Sequence, residues 1–161
     1  MDSDLVVLSE RLGAGLRERS LTLVTAESCT GGWVAQVVTH TAGSSEWFDR
    51  GFVTYADSAK IEMLGVAAQT LQDSGAVSLE TAREMAVGAL ANSNALIAMS
   101  ITGIAGPTGG SSDKPVGTVC FAWCQRGQEP DCERRQFVGN RECVRRQAVV
   151  HALEGLLARV K

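Results

Sequence analysis

One stretch of the chain sets a serine, a tyrosine and a lysine close enough in sequence to suggest nucleophilic chemistry. Gly43-Ser44-Ser45-Glu46-Trp47-Phe48 is followed by Gly51-Phe52-Val53-Thr54-Tyr55 and then by Lys60. A lysine withdrawn from water gives up its proton more readily and can act as a general base. A neutral amine beside a serine hydroxyl activates it as a nucleophile, a known variant of the Ser-His-Asp arrangement. Tyr55 could orient such a pair or donate to developing charge. The ordinary reading is a turn serine and a solvated lysine, and spacing alone does not bring Ser45 to Lys60.

A second segment, Thr25-Ala26-Glu27-Ser28-Cys29-Thr30-Gly31-Gly32-Trp33, falls where an apolar strand gives way to a helix. Helix starts offer unpaired N–H groups that favour anions, and glycines let the backbone approach a ligand. Simple capping by Ser28 or Thr30 explains the same residues. Two rival nucleophiles lie here: Ser28, with Ser45 supporting it, or Cys29, with Glu27 and Lys60 completing a trio. Substrate-protected thiol alkylation would identify the second.

A third segment runs from Thr102 to Lys114 and holds Gly103, Gly106, Gly109 and Gly110. It lacks both the P-loop and the dinucleotide G-x-G-x-x-G spacing, so it is either a backbone N–H nest or a surface loop. In Gly139-Asn140-Arg141-Glu142-Cys143-Val144-Arg145-Arg146 three arginines crowd the start of a helix, where cations are unfavourable. A bound anion or ion pairs would account for them. Arg141, at the helix start, is best placed for phosphate.

The elements that must position these residues follow from hydrophobic periodicity. Leu5, Leu8, Leu12 and Leu16 mark a helix over 3–19. Leu21 to Ala26 reads as a buried strand, and a helix runs from Thr30 to Thr41. A strand is expected at Gly51–Ala56, a helix carrying Lys60 after Asp57, and a small helix after Gly65. A helix opens at Ser78, and Ala95–Ile101 is a strand. Val116–Cys124 and Glu133–Val138 make a hairpin around Gln125–Asp131, and a last helix spans about Arg141 to Val160. Strands separated by helices predict a three-layer α/β/α sandwich, and the late hairpin makes the central sheet mixed.

Bulk properties narrow the function classes. A chain of 161 residues is expected to form one domain over 1–161, since domains commonly hold about 100–150 residues. The net charge of −3 does not favour a nucleic-acid surface or an anionic membrane. No apolar run approaches the roughly 20 residues of a membrane span, and the acidic start is unlike a secretory signal, so a cytoplasmic protein is expected. Five cysteines, Cys29, Cys120, Cys124, Cys132 and Cys143, make an odd set unlike a disulfide framework. His40 and His151 have no neighbours at metal-ligand spacing, so no metal site is expected.

Taken together, AESCTGG (26–32), GSSEWFDRGFVTYADSAK (43–60), LGV (64–66), GAVS (75–78), SITGIAGPTGGSSDKPVGTV (100–119) and FVGNRECVRRQA (137–148) resemble the CinA C-terminal domain, the nicotinamide-nucleotide amidase family. Asn140 stands where such sequences often carry Asp, and Ala42 where many carry Pro. The resemblance, to the stand-alone form, implies hydrolysis of nicotinamide mononucleotide to nicotinate mononucleotide and ammonia, in pyridine nucleotide recycling. It implies no cofactor or metal, and a homo-oligomer. Carried over residue by residue, it makes Ser45 the nucleophile and Lys60 the base. Tyr55 and Ser28 become supporting groups, and Thr30, Gly31, Thr102, Gly103, Gly106, Gly109 and Arg141 bind substrate. The rival from another class is a non-catalytic, regulatory nucleotide-binding module, which the glycine loops and arginines fit equally well.

Overall fold

The computed structural model describes residues 1–160. Helix α1 (Ser3–Glu18) leads into strand β1 (Leu23–Glu27) and helix α2 (Trp33–His40). A 3₁₀ turn at Ser44–Glu46 precedes strand β2 (Phe48–Val53), followed by α3 (Asp57–Leu64), α4 (Ala68–Ser74) and α5 (Leu79–Ala91). Strand β3 (Ile97–Gly103), the hairpin strands β4 (Thr118–Gln125) and β5 (Asp131–Gln136), and helix α6 (Arg141–Arg159) complete the chain.

The sheet order is β2-β1-β3-β4-β5. β1 pairs in parallel with both β2 and β3, whereas β3, β4 and β5 run antiparallel. The sheet is therefore mixed, as expected, and helices cover both faces. Alternation along each strand assigns the faces. Leu23, Ile97, Met99, Ile101, Val119, Phe121 and Trp123 pack with α1, α2 and α6. Val24, Ala26, Ala98, Cys120, Ala122 and Cys124 pack with α3 and α5. The second face is built from small side chains, so α5 sits close to the sheet: the Ser100 hydroxyl donates to the Ala82 carbonyl at 2.6 Å. α5 also presses on α3, where a Cβ added to Gly88 would fall 1.8 Å from the Leu64 carbonyl oxygen. Among the described residues no helix is long and apolar enough to cross a membrane.

Strand β2 begins three residues earlier than its apolar pattern suggests and ends at Val53 rather than Ala56. It is an edge strand, so Asp49 and Arg50 remain exposed within it and mask its start. Strand β1 likewise runs to Glu27, because a buried carboxylate at its end is satisfied by the helix that follows.

Candidate active site

In a layered α/β fold, the residues that follow parallel strands gather in a crevice at the strands' carboxyl ends. Here β1 delivers Ser28, β2 delivers Thr54 and Tyr55, and β3 ends in Thr102 and Gly103. Backbone bonds fix the convergence: Ser28 N–H donates to the Ile101 carbonyl at 3.0 Å, and Thr54 N–H donates to the Glu27 carbonyl at 2.9 Å. The segment after β2 turns into α3, whose first turn places Lys60 inward.

Lys60 is 1% exposed. Its Nζ contacts three neutral oxygens: the Thr54 carbonyl at 2.8 Å, the Tyr55 carbonyl at 3.2 Å and Ser28 Oγ at 3.1 Å. A neutral amine has two N–H bonds and one lone pair. In the structure Nζ donates to all three, and loss of one N–H would leave a lone pair facing the serine hydroxyl. Burial pushes the lysine below its ordinary pKa, against the opposing pull of the Asp57 carboxylate, which eases that loss beside a buried hydroxyl.

The expected meeting of Ser45 with Lys60 does not occur. Ser45 lies in the exposed 3₁₀ turn that precedes β2, at the opposite end of the strand from Tyr55. At about 3.3 Å per residue, the length of β2 alone separates the two ends by on the order of 15 Å. The serine that meets Lys60 is Ser28.

Around this pair is a cavity of about 180 Å³ lined by Ser28, Cys29, Tyr55, Lys60, Thr102 and Arg141, among others. Gly103 also lines it. The Thr102 hydroxyl donates to the Ala76 carbonyl at 2.7 Å, so it holds the cavity wall. At the mouth, Arg141 donates to the Gly106 carbonyl at 2.8 Å and to the Tyr55 hydroxyl at 3.0 Å. Tyr55 accepts from the guanidinium, so its own proton is free to donate. Arg141 also borders a wider cleft of about 630 Å³ between α2 and α6, lined by Thr30, Gly31, Gly32, Trp33, Gln36 and Arg145. Gly109, expected at the site, lies in the exposed part of its loop and lines neither cavity. Gly106 contributes only its carbonyl.

The other arginines of α6 have separate partners. Arg146 pairs with Asp2 and Asp4, which ties α6 to the chain's start. Arg145 donates to the Cys29 and Thr30 carbonyls. Cys29 is buried, and burial pushes its thiol up to about 12, which disfavours a nucleophilic thiolate near neutral pH. Glu27 is engaged elsewhere: its carboxylate accepts from Thr30 Oγ1 at 2.7 Å, Val34 N–H at 2.9 Å and Ala35 N–H at 3.0 Å. The trio of Cys29, Glu27 and Lys60 thus lacks a free carboxylate. Gln36, which no sequence motif singled out, lines the wider cleft beside Trp33. Its i, i+3 spacing from Trp33, just past a glycine pair, is the signal that marks that face.

The family model described as "CinA C-terminal domain" matches residues 6–160. The chain is 55% identical over 155 residues to the "Nicotinamide-nucleotide amidohydrolase PncC" of Escherichia coli K12, covering 96% of this chain and 94% of that protein. It is 49% identical over 153 residues to the protein of the same name from Pseudomonas putida, covering 95% of each. The crystal structure of competence/damage inducible protein CihA from Agrobacterium tumefaciens superposes with a TM-score of 0.97 at 44% identity, covering 100% of this chain and 98% of that one.

Proposed function

Because the chain belongs to the CinA C-terminal domain family, we propose that it hydrolyses the carboxamide of nicotinamide mononucleotide, with Ser28 as nucleophile and Lys60 as base. The observation that carries this reading is the contact of a buried, carbonyl-anchored Lys60 amine with Ser28 Oγ at 3.1 Å. A module that only bound nucleotides would have no use for a buried amine, its pKa lowered by burial, beside a buried hydroxyl.

In this mechanism the carboxamide enters the inner cavity and Ser28 Oγ attacks its carbon while Lys60 Nζ takes the hydroxyl proton. The tetrahedral oxyanion accepts a hydrogen bond from the Tyr55 hydroxyl, which Arg141 polarises. Such a donor is worth about 3–4 kcal/mol in a well-studied protease. The Lys60 ammonium then protonates the departing nitrogen, the C–N bond breaks, and ammonia leaves an ester on Ser28. Lys60, neutral again, deprotonates a water that attacks the ester, and collapse returns the proton to Ser28 as the nucleotide carboxylate departs. The product re-enters pyridine nucleotide recycling.

The inner cavity is smaller than the roughly 300–1,000 Å³ typical of small-molecule sites. The ring therefore fits inside while the ribose phosphate extends past Arg141 into the wider cleft. Binding energy from that remote group positions the amide, so nicotinamide without its ribose phosphate reacts poorly. Ammonia release from nicotinamide mononucleotide by the purified chain tests the reading. Turnover of free nicotinamide at the same efficiency, or no release at all, would overturn it.

A further inference from the structure

We propose that Arg145 is a positioning residue, which together with Glu27 holds the turn bearing Ser28 so that its hydroxyl stays within reach of Lys60. The proposal rests on the reading of Ser28 as nucleophile. The turn between β1 and α2 is closed by two backbone bonds of its own, Gly31 N–H to the Ser28 carbonyl at 3.0 Å and Trp33 N–H to the Thr30 carbonyl at 3.1 Å, but it passes through two glycines. Gly31 and Gly32 both adopt positive φ, +61° and +94°, a conformation glycine enters freely and leaves as freely. Gly32 occupies the N-cap of α2 and has no side chain to hold it.

Two polar side chains supply what the glycines lack. At the end of β1 the Glu27 carboxyl group, 1% exposed, takes the place of the missing cap by accepting from Thr30 Oγ1 and the Val34 and Ala35 N–H groups. Arg145 reaches across from α6. Its Nε donates to the Cys29 carbonyl at 3.0 Å and its Nη2 to the Thr30 carbonyl at 3.2 Å, while its guanidinium lies over the Trp33 ring, 5.5 Å from the centroid. The planar fork can hold two nearby carbonyls at once, a geometry that a lysine ammonium does not reproduce. Arg145 also borders the wider cleft, but the Nε–H and Nη2–H given to these carbonyls act on the turn and, through it, on Ser28.

Arg141 and Arg145 are one turn apart on the same face of α6. One helix face therefore bears both the group at the cavity mouth and the brace for the nucleophile's turn, with different consequences for kinetics.

The test compares R145A and R145K with the wild-type chain by hydrogen exchange at residues 28–33 and by steady-state ammonia release. The expected result for R145A is faster exchange confined to that turn and a kcat lowered by about 100-fold, the scale of a small misplacement of a reacting group. KM for the nucleotide stays within about threefold, since binding is not what the residue supplies. R145K keeps the charge but recovers only part of kcat. Unchanged exchange in the turn, an unchanged kcat, or a raised KM with normal kcat would overturn the proposal, the last by making Arg145 a substrate ligand. Should R145A fail to fold, R145K decides by the same two measurements. Should the wild-type chain release no ammonia, the reading of the activity fails, and the exchange measurement still decides whether Arg145 holds the turn.

Discussion

Lys60 Nζ and Ser28 Oγ lie 3.1 Å apart although 32 residues separate them, and each reaches that point from the carboxyl end of a different parallel strand. The sheet, through the pairing of β1 with β2, sets the distance between them. The chemistry proposed for the pair can be tested one group at a time.

Removing the nucleophile and removing the exposed serine should have opposite outcomes. Ser28→Ala is expected to lower kcat by about 10⁴-fold or more, the scale seen when a nucleophile is deleted from a serine hydrolase. Ser45→Ala, altering an exposed turn, should leave ammonia release within about threefold of wild type. The reverse pattern in the same assay would return the nucleophile to residue 45.

The base should announce itself in the pH profile. Burial lowers the Lys60 pKa from its ordinary 10.5, and only the neutral amine accepts a proton. kcat/KM is therefore expected to rise with pH, inflect below 10.5 and level off. Stability carries the same signature. Between the depressed folded value and 10.5 the unfolded chain binds more protons, so stability rises with pH across that window, and the penalty of the buried charge is full below it. Lys60→Met should abolish turnover and flatten this rise. Parallel thermal-unfolding curves for the two proteins across the window would count against a buried titrating amine.

At the cavity mouth, binding and chemistry should separate. Loss of a hydrogen bond to a charged group costs about 1.5–3 kcal/mol, so Arg141→Ala is expected to raise KM by roughly 10- to 100-fold. Tyr55→Phe removes the proposed oxyanion donor and should lower kcat by about 100-fold with a smaller change in KM. Steady-state kinetics of the two variants decide whether these roles are distinct.

The cysteines give a negative control with content. Cys143 is exposed, whereas Cys29 is buried with its thiol pushed up to about 12. Alkylation near neutral pH should modify Cys143 before Cys29, and Cys29→Ala should keep most of the activity. Substrate-protected inactivation at Cys29 would restore the thiol mechanism.

Much of this was readable in the residues. Short apolar runs marked β1, β3 and β4 of the sheet, and the AESCTGG and GFVTYADSAK blocks named Ser28, Tyr55 and Lys60. The expected pairing of Ser45 with Lys60 does not occur in the structure, for a topological reason. Ser28 follows a strand and Ser45 precedes one, and in a parallel pair those positions fall at opposite ends of the sheet. Tyr55 and Lys60 follow a strand as Ser28 does, and Thr102 lies at the carboxyl end of one, so the order of elements already held the distinction. Arg145 was harder to place, because its partners, the Cys29 and Thr30 carbonyls, are more than a hundred residues away and backbone oxygens leave no mark on sequence.

The anchoring of Lys60 has a consequence for how the machinery comes together. Both carbonyls that hold the amine belong to Thr54 and Tyr55, six and five residues upstream, so a single loop and helical turn set where the amine sits. Its hydroxyl partner arrives only with the neighbouring strand. The burial that lowers the amine's pKa also comes only with the packed fold, so catalytic power switches on only when the centre of the sheet has zipped.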